Sequence, residues 1–154
     1  MKYLSPLFWA LCCVALGMAS SLLQTEALHS WYPYLEQFGI TPPIWVFSTV
    51  WTLLYAMMGF SFGLVLQIKS PHRNILILLF ILQLFFTLLW NMSFFYLLDP
   101  RDGLVCLTIV LVLLALYIWK SRFVSQAASW LFAPYLLWCA FAWYLNVHII
   151  VVKL

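Results

Sequence analysis

Five apolar runs, each long enough to cross a lipid bilayer, take up most of this 154-residue chain. They extend from about Leu4 to Leu23, Ile44 to Ile68, Ile75 to Leu98, Gly103 to Trp119 and Trp130 to Val152. A spanning helix needs roughly 20 predominantly apolar residues. In lipid a backbone must satisfy its own hydrogen bonds, so runs of this length are predicted helices. They are too long and too uniformly apolar for barrel strands, which would alternate over about 10 residues. The predicted fold class is therefore an all-α integral membrane protein. It is a single domain, a five-transmembrane-helix bundle covering residues 1–154.

Composition supports the same reading by exclusion. The chain is 67% hydrophobic and only 7% charged, against about 25% charged in a soluble domain. That cannot cover a water-facing surface, so a soluble enzyme, a nucleic-acid binder and a disordered chain are excluded. The expected surroundings are the lipid bilayer. The first run follows Lys2 and exceeds the usual 7–15 apolar residues of a signal peptide, so it reads as a retained span.

The few charges are sorted. Lys2, Lys69, Arg73, Lys120 and Arg122 fall on the N-terminal side of the membrane, here side A. Arg101, Lys153 and the acids Glu26, Glu36, Asp99 and Asp102 fall on the other, side B. By the positive-inside rule the N-terminus is expected in the cytoplasm, with the first loop and the C-terminus outside a cell (inner) membrane. That first connection, Thr25 to Pro43, is long at about 19 residues and rich in aromatics: Trp31, Tyr32, Tyr34 and Phe38. It fits either a lid or an interfacial aromatic belt.

No carboxylate lies in a span, no phosphate loop is present, and His29, His72 and His148 lie far apart, so no metal site is expected. Cys12, Cys13, Cys106 and Cys139 sit in apolar runs without ligand spacing. The notable features are faces. Gln83, Thr87, Trp90, Asn91 and Phe94 share one helical face of the third span. Phe47, Trp51, Tyr55 and Gly59 do so in the second, and Pro134, Trp138, Ala142 and Asn146 in the fifth. Converging stripes of this kind would enclose an aromatic pocket for a flat, largely apolar ligand. Without a ligand, the same groups would serve as interhelical glue. Gly59-x-x-x-Gly63 and Gly17-x-x-x-Ser21 permit close helix contact, within the bundle or between protomers. Leu114, Tyr117 and Lys120 form a weak cholesterol-type pattern.

These motifs resemble the TspO family of tryptophan-rich sensory proteins, whose mitochondrial members are translocator proteins. Trp31-Tyr32-x-x-Leu35 with Pro42-Pro43-Ile44-Trp45-Val46-Phe47-x-x-Val50-Trp51-Thr52-Leu53-Leu54-Tyr55-x-x-Met58-Gly59 is similar to the family's first loop and second helix. Gln83-Leu84-x-x-Thr87-x-x-Trp90-x-x-x-Phe94-Phe95 is similar to the third-helix motif. Pro134-Tyr135-x-x-Trp138-x-x-Phe141-Ala142-x-x-Leu145-Asn146 is similar to the fifth. The resemblance implies a membrane receptor or sensor that binds porphyrins, with protoporphyrin IX or haem as ligand rather than as a required cofactor. It also implies benzodiazepine-type ligands and, for some bacterial members, light-dependent porphyrin degradation. Enzymatic activity stays open, since no conventional acid, base or nucleophile is present.

On this resemblance Trp51 and Trp138 match the tryptophans implicated in the photochemistry, and Tyr32, Pro42 and Ala142 match pocket positions. With Phe47, Tyr55, Thr87, Trp90, Phe94 and Asn146 from the stripes they make up the expected ligand site. Thr87 stands where the family usually has Asn, and Gln37-Phe38 replaces its common Lys-Pro. The third span lacks the Gly and Ala of the dimer interface in some bacterial members, so a homodimer has no identified interface. Tyr144 lies too far from Lys153 to match the mitochondrial cholesterol pattern. Two other functions fit the composition. A tetrapyrrole transporter would be expected to show an internal repeat or an intramembrane charge, and neither is visible. A ligand-free structural subunit would account for the stripes as packing alone.

Overall fold

The computed structural model describes residues 4–31, 33–34 and 41–153. Five helices in it are long and apolar enough to cross a membrane. They are α1 (Leu4–Ser21), α3 (Ile44–Gln67), α4 (Arg73–Asn91), α5 (Pro100–Ser121) and α6 (Gln126–Lys153), while the short α2 (Thr25–Ser30) lies in the first connection. The protein is an all-α, multi-pass membrane bundle.

The helix ends follow from local chemistry. Asp99 caps α5: its carboxylate accepts from the backbone N–H of Arg101 at 2.9 Å and Asp102 at 3.3 Å, with Pro100 at the first helical position. At the start of α6, Ser125 Oγ accepts from Ala128 N–H at 3.3 Å. Pro43 stands immediately before α3 in extended backbone, where its missing N–H costs nothing.

The packing order around the bundle is α1, α3, α6, α5, α4. Glycines set the first contact. A Cβ on Gly59 would run into the backbone of Trp9 and Ala10, and one on Gly63 into that of Pro6. One on Gly17 would lie 2.6 Å from the Tyr55 ring. The two small-residue steps therefore serve α1–α3 packing inside one chain, which resolves the choice left open by the sequence. Leu114 and Tyr117 are fully buried. The cholesterol-type pattern accordingly points into the bundle and is not offered to lipid.

Two expectations need correction. The third span is not one α-helix to Leu98: α4 ends at Asn91 and passes into a π-helical turn, Met92–Tyr96. The wider turn brings Ser93, Phe94 and Phe95 inward together. The inward face of the fifth span is not led by Pro134, which is exposed. Its neighbour Tyr135 and Cys139 are fully buried, with Ala142, Asn146 and Ile149 continuing that face.

Candidate functional site

The three stripes converge in the side B half of the bundle, and what they enclose is mostly ring. Trp51 of α3 stacks on Trp90 of α4, centroids 5.5 Å apart, and Trp90 stacks on Phe94 at 5.8 Å. Phe95 meets the edge of Trp90 at 5.7 Å and of Phe47 at 5.7 Å. Tyr135 meets Trp51 edge-on at 6.0 Å. Such offset and edge-on contacts add about 0.5–1.5 kcal/mol each beyond area burial.

Trp51 and Trp138, paired by the family resemblance, do not stack on each other. Phe47 lies against both, at 6.1 Å and 6.4 Å, and Trp138 turns its other side to Phe141 at 5.6 Å. The stacking partner of Trp51 is Trp90. Thr87, standing where the family usually has Asn, is bonded into the core. Its hydroxyl donates to Gln83 O at 2.8 Å, so the Tyr135 hydroxyl 2.6 Å away must donate to Thr87 Oγ1.

Two cavities flank Phe47. One, of about 130 Å³, lies toward α1 and is lined by Ser20, Gln24, Ser48, Trp51, Tyr55 and Asn91 among others. The second, of about 30 Å³, lies toward α6 and is lined by Thr41, Phe47, Trp90, Phe94, Ala142 and Asn146 among others. Ligand pockets usually run to roughly 300–1,000 Å³, so the rings stand closed and a drug-sized ligand must part them. Among the described residues no charged side chain lines either cavity.

The polar atoms around the rings are unusual. Trp51 Nε1, Trp90 Nε1, Trp138 Nε1 and Asn146 Oδ1 are buried without a hydrogen-bond partner. Asn146 uses its amide N–H on Ala142 O, at 2.9 Å. An unmade buried bond costs about 1–3 kcal/mol, and three such donors around one ring layer are hard to explain as packing alone.

The side B end is covered. In α2, Ala27 and Leu28 are buried, and Trp31 after it sets its ring edge on Phe94 at 5.1 Å. This part of the first connection packs over the ring layer. Tyr32, with Gln37 and Phe38, lies outside the described residues. Pro42 is half-buried at the start of α3. The sequence reading did not include Gln24, Ser20, Phe95 and Tyr135 in the site. Gln24 had one visible signal, as an amide placed directly after an apolar span.

Fold and site together define a multi-pass membrane bundle of the receptor or sensor class, with an aromatic ring layer and two small cavities at one end. The pattern of the TspO/MBR family matches residues 8–152. The chain is 37% identical over 146 residues to "Tryptophan-rich protein TspO" of Chlorobaculum tepidum, covering 92% of each chain. It is 34% identical over 136 residues to the protein of that name from Archaeoglobus fulgidus, covering 86% of each. It is 30% identical to the "Tryptophan-rich sensory protein" of Cereibacter sphaeroides over 141 residues, 90% of this chain and 88% of the relative. The chain belongs to the TspO/MBR family, as a membrane sensor or receptor.

Proposed function

We infer that the protein binds porphyrins, such as protoporphyrin IX or haem-type tetrapyrroles, in the ring chamber between α3, α4 and α6. The observation that carries this is the set of unpartnered indole N–H groups of Trp51, Trp90 and Trp138 around stacked rings. A flat macrocycle supplies the missing stacking face, and its carboxylate edge supplies acceptors for those donors. Asn146 Oδ1 adds one unpartnered acceptor to the same site. The site residues are Phe47, Trp51, Tyr55, Trp90, Phe94, Trp138, Ala142 and Asn146, with Tyr32 and Pro42 from the first connection. Thr87 acts from behind, by fixing Tyr135 against Trp51. The N-terminus lies in the cytoplasm, and the chamber lies toward the outer side of the cell membrane.

The test is a protoporphyrin IX titration in the dark and in light, read by tryptophan emission and porphyrin absorbance. Saturable quenching is expected in the wild type, weakened in Trp51→Phe with Trp138→Phe. Porphyrin loss under light that is faster with wild type than with this double variant would add degradation to binding. Equal affinity in both proteins would refute the role of these indoles.

A further inference from the structure

Helices α1 and α4 close the circuit of the bundle with at most a marginal contact: α1 lies along α3, and α4 along α5. Between them runs an apolar groove of about 400 Å³, lined by Leu16, Ala19 and Leu23 from α1 and by Phe85, Leu88 and Met92 from α4. Ala19, Leu23, Phe85 and Met92 are exposed, so the groove faces the lipid. Ser20 lines this groove and also the inner 130 Å³ cavity beside Trp51.

A hydrogen bond on the wall of the inner cavity lies next to the groove. Gln24 Nε2 donates to Asn91 Oδ1 at 2.6 Å, and both side chains are buried. Leu23 in the groove precedes Gln24 in the chain, and Met92 in the groove follows Asn91. The amide pair therefore sits on the boundary. Both partners lie where a regular ladder changes: Gln24 between α1 and α2, Asn91 at the passage of α4 into its π turn. Such points yield more easily than helix interiors. Behind the pair, Trp51, whose Nε1 is buried and unpartnered, is among the residues lining the cavity.

We propose that ligands enter sideways from the bilayer, through the groove between α1 and α4, with the Gln24–Asn91 pair as the gate. The route rests on the receptor reading given above. The alternative entrance, from side B, requires lifting α2 with its buried Ala27 and Leu28 and the Trp31–Phe94 contact. The lateral entrance passes Ser20, which lines both spaces, and breaks the Gln24–Asn91 bond. The gate also selects. A plain acyl chain that parted the amides would leave a donor and an acceptor buried and unsatisfied. A flat apolar molecule with a polar edge satisfies both the freed donor and the freed acceptor, and it is already concentrated in the membrane.

The test uses the full chain in lipid vesicles with two variants, Gln24→Ala, which removes the gate bond, and Ala19→Trp, which fills the groove from its lipid-exposed wall. The first readout needs no porphyrin. A small aryl diazirine dissolved in the bilayer is photolysed, and carbene adducts on Trp51 and Tyr55 are mapped by mass spectrometry. Inner-cavity labelling is expected to rise about three- to tenfold in Gln24→Ala, as expected for loss of one interhelical bond in a membrane. It is expected to be lost in Ala19→Trp. The second readout is the rate of protoporphyrin IX association and release: faster in Gln24→Ala, slower in both directions in Ala19→Trp at unchanged Kd. Identical labelling in all three proteins overturns the lateral route, whatever the porphyrin does. Labelling that follows the variants while no porphyrin binds keeps the route and removes the porphyrin reading.

Discussion

Replacing Trp90 by Phe separates a ligand-binding indole from a packing one. Trp90 is 2% exposed, stacked between Trp51 and Phe94, with its N–H unpartnered. In the free protein, Phe keeps a ring in the stack and removes the orphan donor. Losing the rest of the indole forfeits about 1 kcal/mol of apolar burial at about 25 cal/mol per Å². It also forfeits part of a stacking contribution of about 0.5–1.5 kcal/mol. Removing an unsatisfied buried donor returns about 1–3 kcal/mol. The terms nearly cancel, so thermal unfolding in detergent should move little. Ligand binding should not be spared. A hydrogen bond made only in the complex contributes about 1–1.5 kcal/mol, so the porphyrin Kd should rise about tenfold. The assay is a paired measurement on one preparation: melting by tryptophan emission, and titration by porphyrin absorbance. A variant that melts far below wild type and binds porphyrin unchanged refutes the reasoning, because Trp90 would then be structural and its bare N–H incidental.

Three further outcomes follow from other parts of the bundle. Gly59→Ala gains helix propensity of about 1 kcal/mol. Its new methyl, however, meets α1 backbone that has no rotamer to change, and overpacking costs about 1–3 kcal/mol. A lower melting temperature is expected, and an equal or higher one would show that α1 is not held where the structure has it. A double-mutant cycle of Thr87→Val and Tyr135→Phe should give a coupling of about 0.6–1.7 kcal/mol in the membrane, and additive effects would deny the hydroxyl pair. For orientation, single cysteines placed at Lys2 and at Lys69 should be shielded from an impermeant thiol reagent in intact cells. One placed at Glu26 should be labelled, and the reverse pattern would invert the topology.

The spans were legible because lipid leaves the sequence little freedom. Apolar length and charge placement are one-dimensional signals, and each of the five runs overlaps a helix in the structure. The stripes on α3 and α4 were legible for the same reason, as single-helix periodicity. What a single helix cannot report is its rotation against its neighbours. On α6, Pro134 and Tyr135 are adjacent, and four-residue spacing alone favoured the wrong one. The deciding fact is the Thr87 hydroxyl on a different helix, 48 positions away. The Gln24–Asn91 bond, 67 positions apart, was hidden in the same way. The π turn was hidden too, since MSFFY looks like ordinary helix until its two Phe rings are seen facing inward together.

The two ends of the bundle are built on different rules, and the contrast locates function better than any single residue. Toward side A the buried hydroxyls are satisfied. Ser61 Oγ donates to Ala128 O at 2.7 Å and lies 3.3 Å from the Tyr117 hydroxyl, while Ser129 Oγ donates to Ile118 O at 3.0 Å. Around them Phe62 stacks on Phe80 at 3.9 Å, and Tyr117 on Phe132 at 4.0 Å. Toward side B the stacked pairs Trp51–Trp90 and Trp90–Phe94 stand farther apart, at 5.5 Å and 5.8 Å, two cavities remain, and Trp51, Trp90 and Trp138 keep bare N–H groups. A bundle selected only for stability would have no reason to satisfy the buried hydroxyls of one end and leave three indole N–H groups bare at the other. The asymmetry is what a receptor requires: a stiff base that fixes five helices, and a loosely packed, donor-rich end whose best packing partner is the ligand.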